Sequence, residues 1–279
     1  MTYKTILVHV DDAANVEARI ELAANLAKAE DAHLIGTAMT GVSRFLFETM
    51  SADAGTAGIA PFLDTIRQRT ERQLTPFENI ARRAGVGSFE KRMTDDEAAG
   101  GLSLQARYSD LVIVGQYDPE GNAPSTYADL PEYVTINGGS PVLIVPYTGA
   151  FKDTGERALI AWDASMEATK AVHSAIPLLR RAKNVDVVVF NARKDAGVHG
   201  EQPGADIGLY LARHNIKVNV IDQSTEVDVG NALLSLAANQ NSDLLVMGCY
   251  GHSRFREVLL GGPTRTVLQT MTIPVLTAH

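Results

Sequence analysis

The chain repeats itself, and the repeat limits what it can become. Asp11 closes an apolar run, Leu7–Val10, and Asp163 closes a second, Leu159–Trp162. Ile35–Met39 is answered by Val187–Asn191 at the same offset of 152 residues. Asp110-Leu-Val-Ile-Val-Gly115 is answered by Asp243-Leu-Leu-Val-Met-Gly248, and Pro141-Val-Leu by Pro274-Val-Leu, both at an offset of 133. The difference in offset places extra chain in the first copy, most simply in the Gly-, Ser- and Ala-containing stretch Thr40–Pro61 with its Phe45 and Phe47. Copies this long are domains rather than solenoid repeats. The expected boundaries are 1–147 and 156–279, joined by a polar, Gly-containing linker.

Within each copy, short apolar runs alternate with segments of helical period. Val16, Ile20, Ala23, Ala24 and Ala27 are spaced for one helix face. Phe62 to Ala84 also reads as helix, with Pro76 expected to kink or break it. Its arginines (Arg67, Arg69, Arg72, Arg82, Arg83) alternate with Glu71 and Glu78, as on a solvated face. The strands are continuously apolar, so both of their faces are buried. That predicts an α/β fold with a parallel sheet covered by helices on both sides.

Composition narrows the partners. Hydrophobic residues make up 45% of 279, enough for full cores, and the net charge of -8 argues against a general nucleic-acid or anionic-membrane binder. No apolar run reaches the roughly 20 residues that span a bilayer. The start, Met-Thr-Tyr-Lys-Thr-Ile-Leu-Val, has no leader-like pattern, and Cys249 is the single cysteine. A cytoplasmic protein without disulfides is the expectation. The sequence has no Gly-x4-Gly-Lys-Ser/Thr loop, no Gly-x-Gly-x2-Gly after a first strand, no Gly-x-Ser-x-Gly elbow and no zinc-spaced Cys/His set. No nucleophile stands beside a base, so no catalytic residue and no metal ligand is assigned.

One block does carry chemistry. After the run Leu244–Val246 come Met247, Gly248, Gly251, Gly261 and Gly262, and then Pro263 opening a helix. Glycines let backbone N–H groups approach an anion, and a helix N-terminus offers unpaired donors and a positive dipole end. Gly-x2-Gly-x9-Gly directly after a buried strand resembles the C-terminal signature of the universal stress protein family. The resemblance extends over nearly the whole chain, twice. It implies two tandem Rossmann-like domains of the adenine nucleotide alpha hydrolase type, each a five-stranded parallel sheet with helices on both faces. It also implies that the halves pair through Val142–Val145 and Val275–Thr277 as an internal pseudo-dimer, with homodimers of whole chains as a further option.

In the family's nucleotide-binding members this loop holds ATP, and the matching positions here are Met247, Gly248, Gly251 and Gly261. The family has Ser or Thr at the next position, where this chain has Gly262; Thr264 is a substitute hydroxyl. By the same resemblance Ala161 and Asp163 flank base and ribose, and Asn191 meets adenine. Asp163 is read equally as the turn before a helix, and Asn191 as a strand terminator. Ser253 and Arg254 are candidate phosphate contacts or plain loop residues. In the first copy Asp118, Ala128 and Asp129 stand where Gly251, Gly261 and Gly262 stand in the second, and carboxylates oppose a phosphate. The first copy is therefore expected not to bind ATP in the family's manner. The expected function is binding of ATP, ADP or AMP, with or without Mg²⁺, by the second copy, in a regulatory stress-response role. The alternatives are a non-nucleotide interaction module of the same fold and a slow ATPase.

Overall fold

In the computed structural model the described residues are 2–43, 45, 60–121, 128–192, 202–250 and 262–279. The chain divides into two compact units. One comprises Tyr3–Ser140 and Tyr147–Lys152; the other is centred on Asp153–His279 and includes Pro141–Pro146.

The first unit runs β1 (Thr5–His9), α1 (Val16–Glu30), β2 (His33–Met39), α2 (Ala60–Ala84), β3 (Ser88–Thr94), α3 (Ala98–Ala106), β4 (Leu111–Gly115) and α4 (Leu130–Gly138). Its strands lie in the order β3-β2-β1-β4, all parallel. Parallel crossovers are right-handed. Stepping from β1 outward to β3 puts α1 and α2 on one face, and returning to β4 puts α3 on the other. The packing agrees: α1 lies against α2, and α3 against α4. Ile6, Leu7, Val8 and Leu111–Val114 are fully buried, as the apolar runs require. The edge strand β3 is instead charged and partly exposed (Glu90, Lys91, Arg92), which discourages further pairing.

The second unit runs β6 (Arg157–Ala161), α5 (Met166–Leu179), β7 (Asn184–Phe190), α6 (Ala205–Arg213), β8 (Asn219–Gln223), α7 (Val229–Asn239), β9 (Leu244–Gly248), α8 (Pro263–Thr270) and β10 (Val275–Ala278). The order β10-β9-β6-β7-β8 is parallel. The strand β5 (Val142–Val145) also belongs to this unit. It runs antiparallel to β10, with Ile144 opposite Val275, Leu143 opposite Leu276 and Val142 opposite Thr277. This ladder joins the two segments named above for pairing, Val142–Val145 and Val275–Thr277, and it makes the sheet of this unit mixed. All four β5 residues are buried, so the strand needs a ladder on β10 to satisfy its backbone.

Two details explain the sequence repeat. Asp110 Oδ2 accepts from the backbone N–H groups of Lys4 (2.7 Å) and Thr5 (2.9 Å), fixing the start of β1. Asp243 does the same for β6: Oδ1 accepts from Gly155 (3.1 Å) and Arg157 (2.9 Å), and Oδ2 from Glu156 (3.1 Å). α2 passes through Pro76 without a break. Its arginines form exposed pairs, among them Arg67 with Asp95 and Arg82 with Glu78. Among the described residues no helix is long and apolar enough to cross a membrane.

Candidate functional site

In the second unit the chain leaves β6 toward β7 on one side and returns to β9 on the other. Such a reversal opens a crevice at the carboxyl ends of the strands, where open α/β sheets hold their ligands. The residues at those ends are Ala161 on β6, Phe190 on β7 followed by Asn191, and Gly248 on β9.

At the end of β6, Asp163 is exposed and its Oδ1 accepts from Ser165 N–H at 2.9 Å. Ser165 in turn caps α5, its Oγ accepting from Ala168 N–H at 3.1 Å. The turn reading of Asp163 is therefore realised through one oxygen, and the exposed carboxylate leaves the other facing water. Ala164, between them, has φ of 61°. At the end of β7, Asn191 has φ of 57°. Its N–H donates to Gln223 O at 2.9 Å, and its Oδ1 accepts from Thr225 N–H at 3.0 Å, which ties the exit of β7 to that of β8. Beyond β9, Tyr250 has φ of 59°.

Non-glycine residues avoid positive φ because Cβ crowds the backbone, and those held there tend to mark sites. The other three among the described residues, Asp31, Asn215 and Asn241, lie one or two residues past helix ends, where this conformation is an ordinary terminator. Ala164, Asn191 and Tyr250 instead lie beyond the carboxyl ends of β6, β7 and β9, strands that are neighbours in the sheet. Among the described residues of the first unit there is no non-glycine counterpart at the ends of β1, β2 or β4. Ala164 and Tyr250 were not candidates from sequence; the only cue was the Asp-Ala-Ser turn and the position next to Gly251.

Gly248 has a packing reason to be glycine. A Cβ there would lie 2.5 Å from Ala168 N and 2.8 Å from Glu167 C, so the first turn of α5 rests on the end of β9. Gly230, in the first turn of α7, plays a similar part for α8: a Cβ would meet Pro263 O at 2.8 Å and Thr266 Cβ at 2.7 Å. That close approach sets where α8 begins. Gly262 is its N-cap, with no side-chain cap, and Pro263 follows. Thr264 is buried, 3% exposed, so its side chain packs inward. Met247 is likewise buried in β9. Gly251, Ser253, Arg254 and Gly261 lie outside the described residues.

The corresponding corner of the first unit is filled. Arg19, 1% exposed, reaches from α1 so that its Nη2 donates to Asp11 Oδ1 at 2.5 Å. A Cβ on Gly115 would overlap Arg19 Nη1, so the guanidinium occupies the junction of β1 and β4. His9 Nδ1 lies 3.4 Å from Asp11 Oδ2. Burial pushes the Asp11 carboxyl up, but Arg19, His9 and the Ala13 amide together hold it below the usual carboxylate value. Burial lowers the His9 pKa to about 4, against the pull of Asp11 and with the help of Arg19, so the ring is neutral. Asp118, expected to oppose phosphate, is turned onto its own loop, its Oδ1 accepting from Glu120 N–H at 3.0 Å.

Residues 155–279 match the model of the "Universal stress protein family". The chain is 34% identical over 84 residues to "Universal stress protein Slr1230" of Synechocystis sp., a match covering 29% of this chain and 29% of that relative's length. A universal stress protein from Archaeoglobus fulgidus superposes with a TM-score of 0.72 at 16% identity, covering 98% of this chain and 95% of that one. A functionally unknown protein, PA1789, from Pseudomonas aeruginosa superposes at 0.58 and 17% identity, over 98% and 92%. At these identities the structures speak for the fold and the family model speaks for descent. The likeness to the universal stress protein family thus rests, in sequence, on residues 155–279, the second copy of the repeat.

Proposed function

We propose that the second unit binds an adenine nucleotide (ATP, ADP or AMP) at the carboxyl ends of β6, β7 and β9, and that this binding serves a regulatory, cytoplasmic role. The observation that carries the proposal is the convergence of Ala164, Asn191 and Tyr250, held at positive φ around the strand reversal that precedes the glycine block. Asp163, exposed at the end of β6, stands on the ribose side, and the N-terminal turn of α8, opened by Gly262 and Pro263, stands on the phosphate side. A helix N-terminus with no acid–base pair among the described residues favours holding a nucleotide over cleaving it.

Titration calorimetry with ATP, ADP and AMP, with and without Mg²⁺, tests this after removal of any co-purified nucleotide. One site per chain is expected, lost in Gly251→Glu. Unchanged affinity in that variant would refute the assignment.

A second reading has one specific support. Gly262 provides no hydroxyl where the family has Ser or Thr, and the N-cap of α8 lacks a side-chain bond. A site without phosphate affinity would leave the unit as an interaction module; absence of any nucleotide binding by the intact chain selects that reading.

A further inference from the structure

The outermost strands of the two units differ in how their open edges are finished. On β3 the exposed side carries Glu90, Lys91 and Arg92, with Lys91 Nζ 3.1 Å from Glu78 and Arg92 bonded to Glu90, so an incoming strand meets charge. In the second unit β8 lies outermost, beyond β7, and reads Asn-Val-Ile-Asp-Gln, with one charge and neither lysine nor proline. Four of its five residues are exposed, Val220 by 37%. Among the described residues no strand pairs with its outer side. The backbone N–H and C=O groups on such a side are a template for another strand.

The helix beside this edge leaves room for a partner. Tyr210 faces α5, its ring stacked on His173 at 4.9 Å. With about 3.6 residues per turn, the opposite side of α6 holds Ala205, Gly208 and Ala212, none larger than a methyl group. Gly208 comes close to the strand: a Cβ there would lie 3.6 Å from both Val218 and Val220. Leu209, next to this side, is 58% exposed. Together they make an apolar ledge continuous with the open edge of β8.

Charge along the edge is divided by direction. Arg213 and Lys217 precede the strand, Asp222 lies near its end and Glu226 follows it, all four exposed. A second β8 laid parallel would set like charge beside like. Laid antiparallel about a two-fold axis, it sets the basic entry of each strand beside the acidic exit of the other, and does so twice. The patch is thus its own complement.

We propose that β8 and α6 form a two-fold interface between two copies of this chain, β8 pairing antiparallel with its mate and the small-residue side of α6 packing on that of the other copy. The strands β5 and β10 are already paired within the chain, so this association uses a different edge. It does not rest on nucleotide binding.

The test is sedimentation velocity of the full chain over a concentration series at low and high salt. A species of twice the chain mass of 30.0 kDa is expected, weaker at high salt. Val220→Lys puts a charge on the open edge, and Ala212→Arg puts bulk on the exposed side of α6. Each is expected to raise the dimer dissociation constant by about tenfold or more. Lys217→Glu sets acid beside acid and weakens the dimer; adding Asp222→Lys restores opposite charge and recovers the loss. Arg92→Thr on β3 leaves association unchanged, and thermal melts verify that all variants are folded. The proposal is overturned by a chain that stays monomeric throughout the series, by a dimer that folded Val220→Lys and Ala212→Arg leave intact, or by a double charge variant that associates no better than Lys217→Glu.

Discussion

Arg19 Nη2 lies 2.5 Å from Asp11 Oδ1, and both side chains are buried. This ion pair is the physical difference between the two halves. Asp11 matches Asp163 in the repeat, but Asp163 is exposed and holds only its own turn, whereas Asp11 is locked under a guanidinium that covers Gly115. Removing one partner strands the other charge. Arg19→Met is expected to lower the stability of the first unit by about 3–5 kcal/mol. The double variant Arg19→Met/Asp11→Asn recovers part of that loss. Urea denaturation followed by tryptophan-independent circular dichroism measures both, and equal losses in the single and double variants would mean the pair is not coupled.

Acid should expose the same cluster. Burial, aided by Arg19 and opposed by Asp11, lowers the His9 pKa from 6.5 to about 4. The folded value lies below the unfolded one, so the fold favours the neutral ring. Its contribution is complete above about pH 6.5 and is lost as pH falls through about 4. Asp11, also held below its ordinary 3.8, adds a loss at still lower pH. A melting temperature that falls between pH 6.5 and 4, with a shallower fall in His9→Gln, is the expected result. Parallel curves for the two proteins would show that His9 is not the titrating group.

Gly248 marks a contact between elements as well as a position proposed for ligand binding. In Gly248→Ala the new methyl meets the backbone of Glu167 and Ala168, which cannot swing aside as a side chain would. Overpacking of this kind costs about 1–3 kcal/mol. Differential scanning calorimetry should show a lower transition for the second unit, accompanied by weaker nucleotide binding as α5 shifts. Full stability in this variant would show that α5 is not seated on the end of β9.

Asp243 gathers three backbone N–H groups at the start of β6. Asp243→Ala leaves these donors without their acceptor and is expected to cost about 2–3 kcal/mol. Asp110→Ala, which releases two donors at β1, costs less. Hydrogen exchange at Arg157 and Thr5 reports each loss locally; protection unchanged at these amides would contradict the assigned role.

Much of this architecture was legible before any coordinates. The continuously apolar runs at Leu111–Val114 and Leu244–Met247 could only be buried parallel strands, because their side chains point to both faces and both faces must be dry. The repeated Asp before each of these runs, and the repeated Gly after it, are properties of single positions: a carboxylate collecting N–H groups and a missing Cβ. Those survive translation into a linear code. So did the glycine block from Met247 to Gly262, which singled out the second copy and brought Ala161, Asp163, Asn191 and Gly248 into consideration as strand ends.

What the tertiary structure decided are relationships between distant residues. Arg19 sits three residues after Val16 on the apolar face of α1, and only the position of Gly115 on a neighbouring strand reveals that its guanidinium is buried rather than solvated. The strand β5 reads as the end of the first copy, and the family resemblance named it with Val275–Thr277 as a pairing segment; the antiparallel register, Ile144 opposite Val275, is set by backbone donors that no side-chain pattern records. The left-handed turns at Ala164 and Tyr250 carry no glycine to announce them, since the cost of such φ values is met by the surrounding fold and not by the residue itself. Sequence thus determined the strands, their burial and the copy that carries the glycine block; packing across the sheet decided that an arginine closes the corner of the first unit.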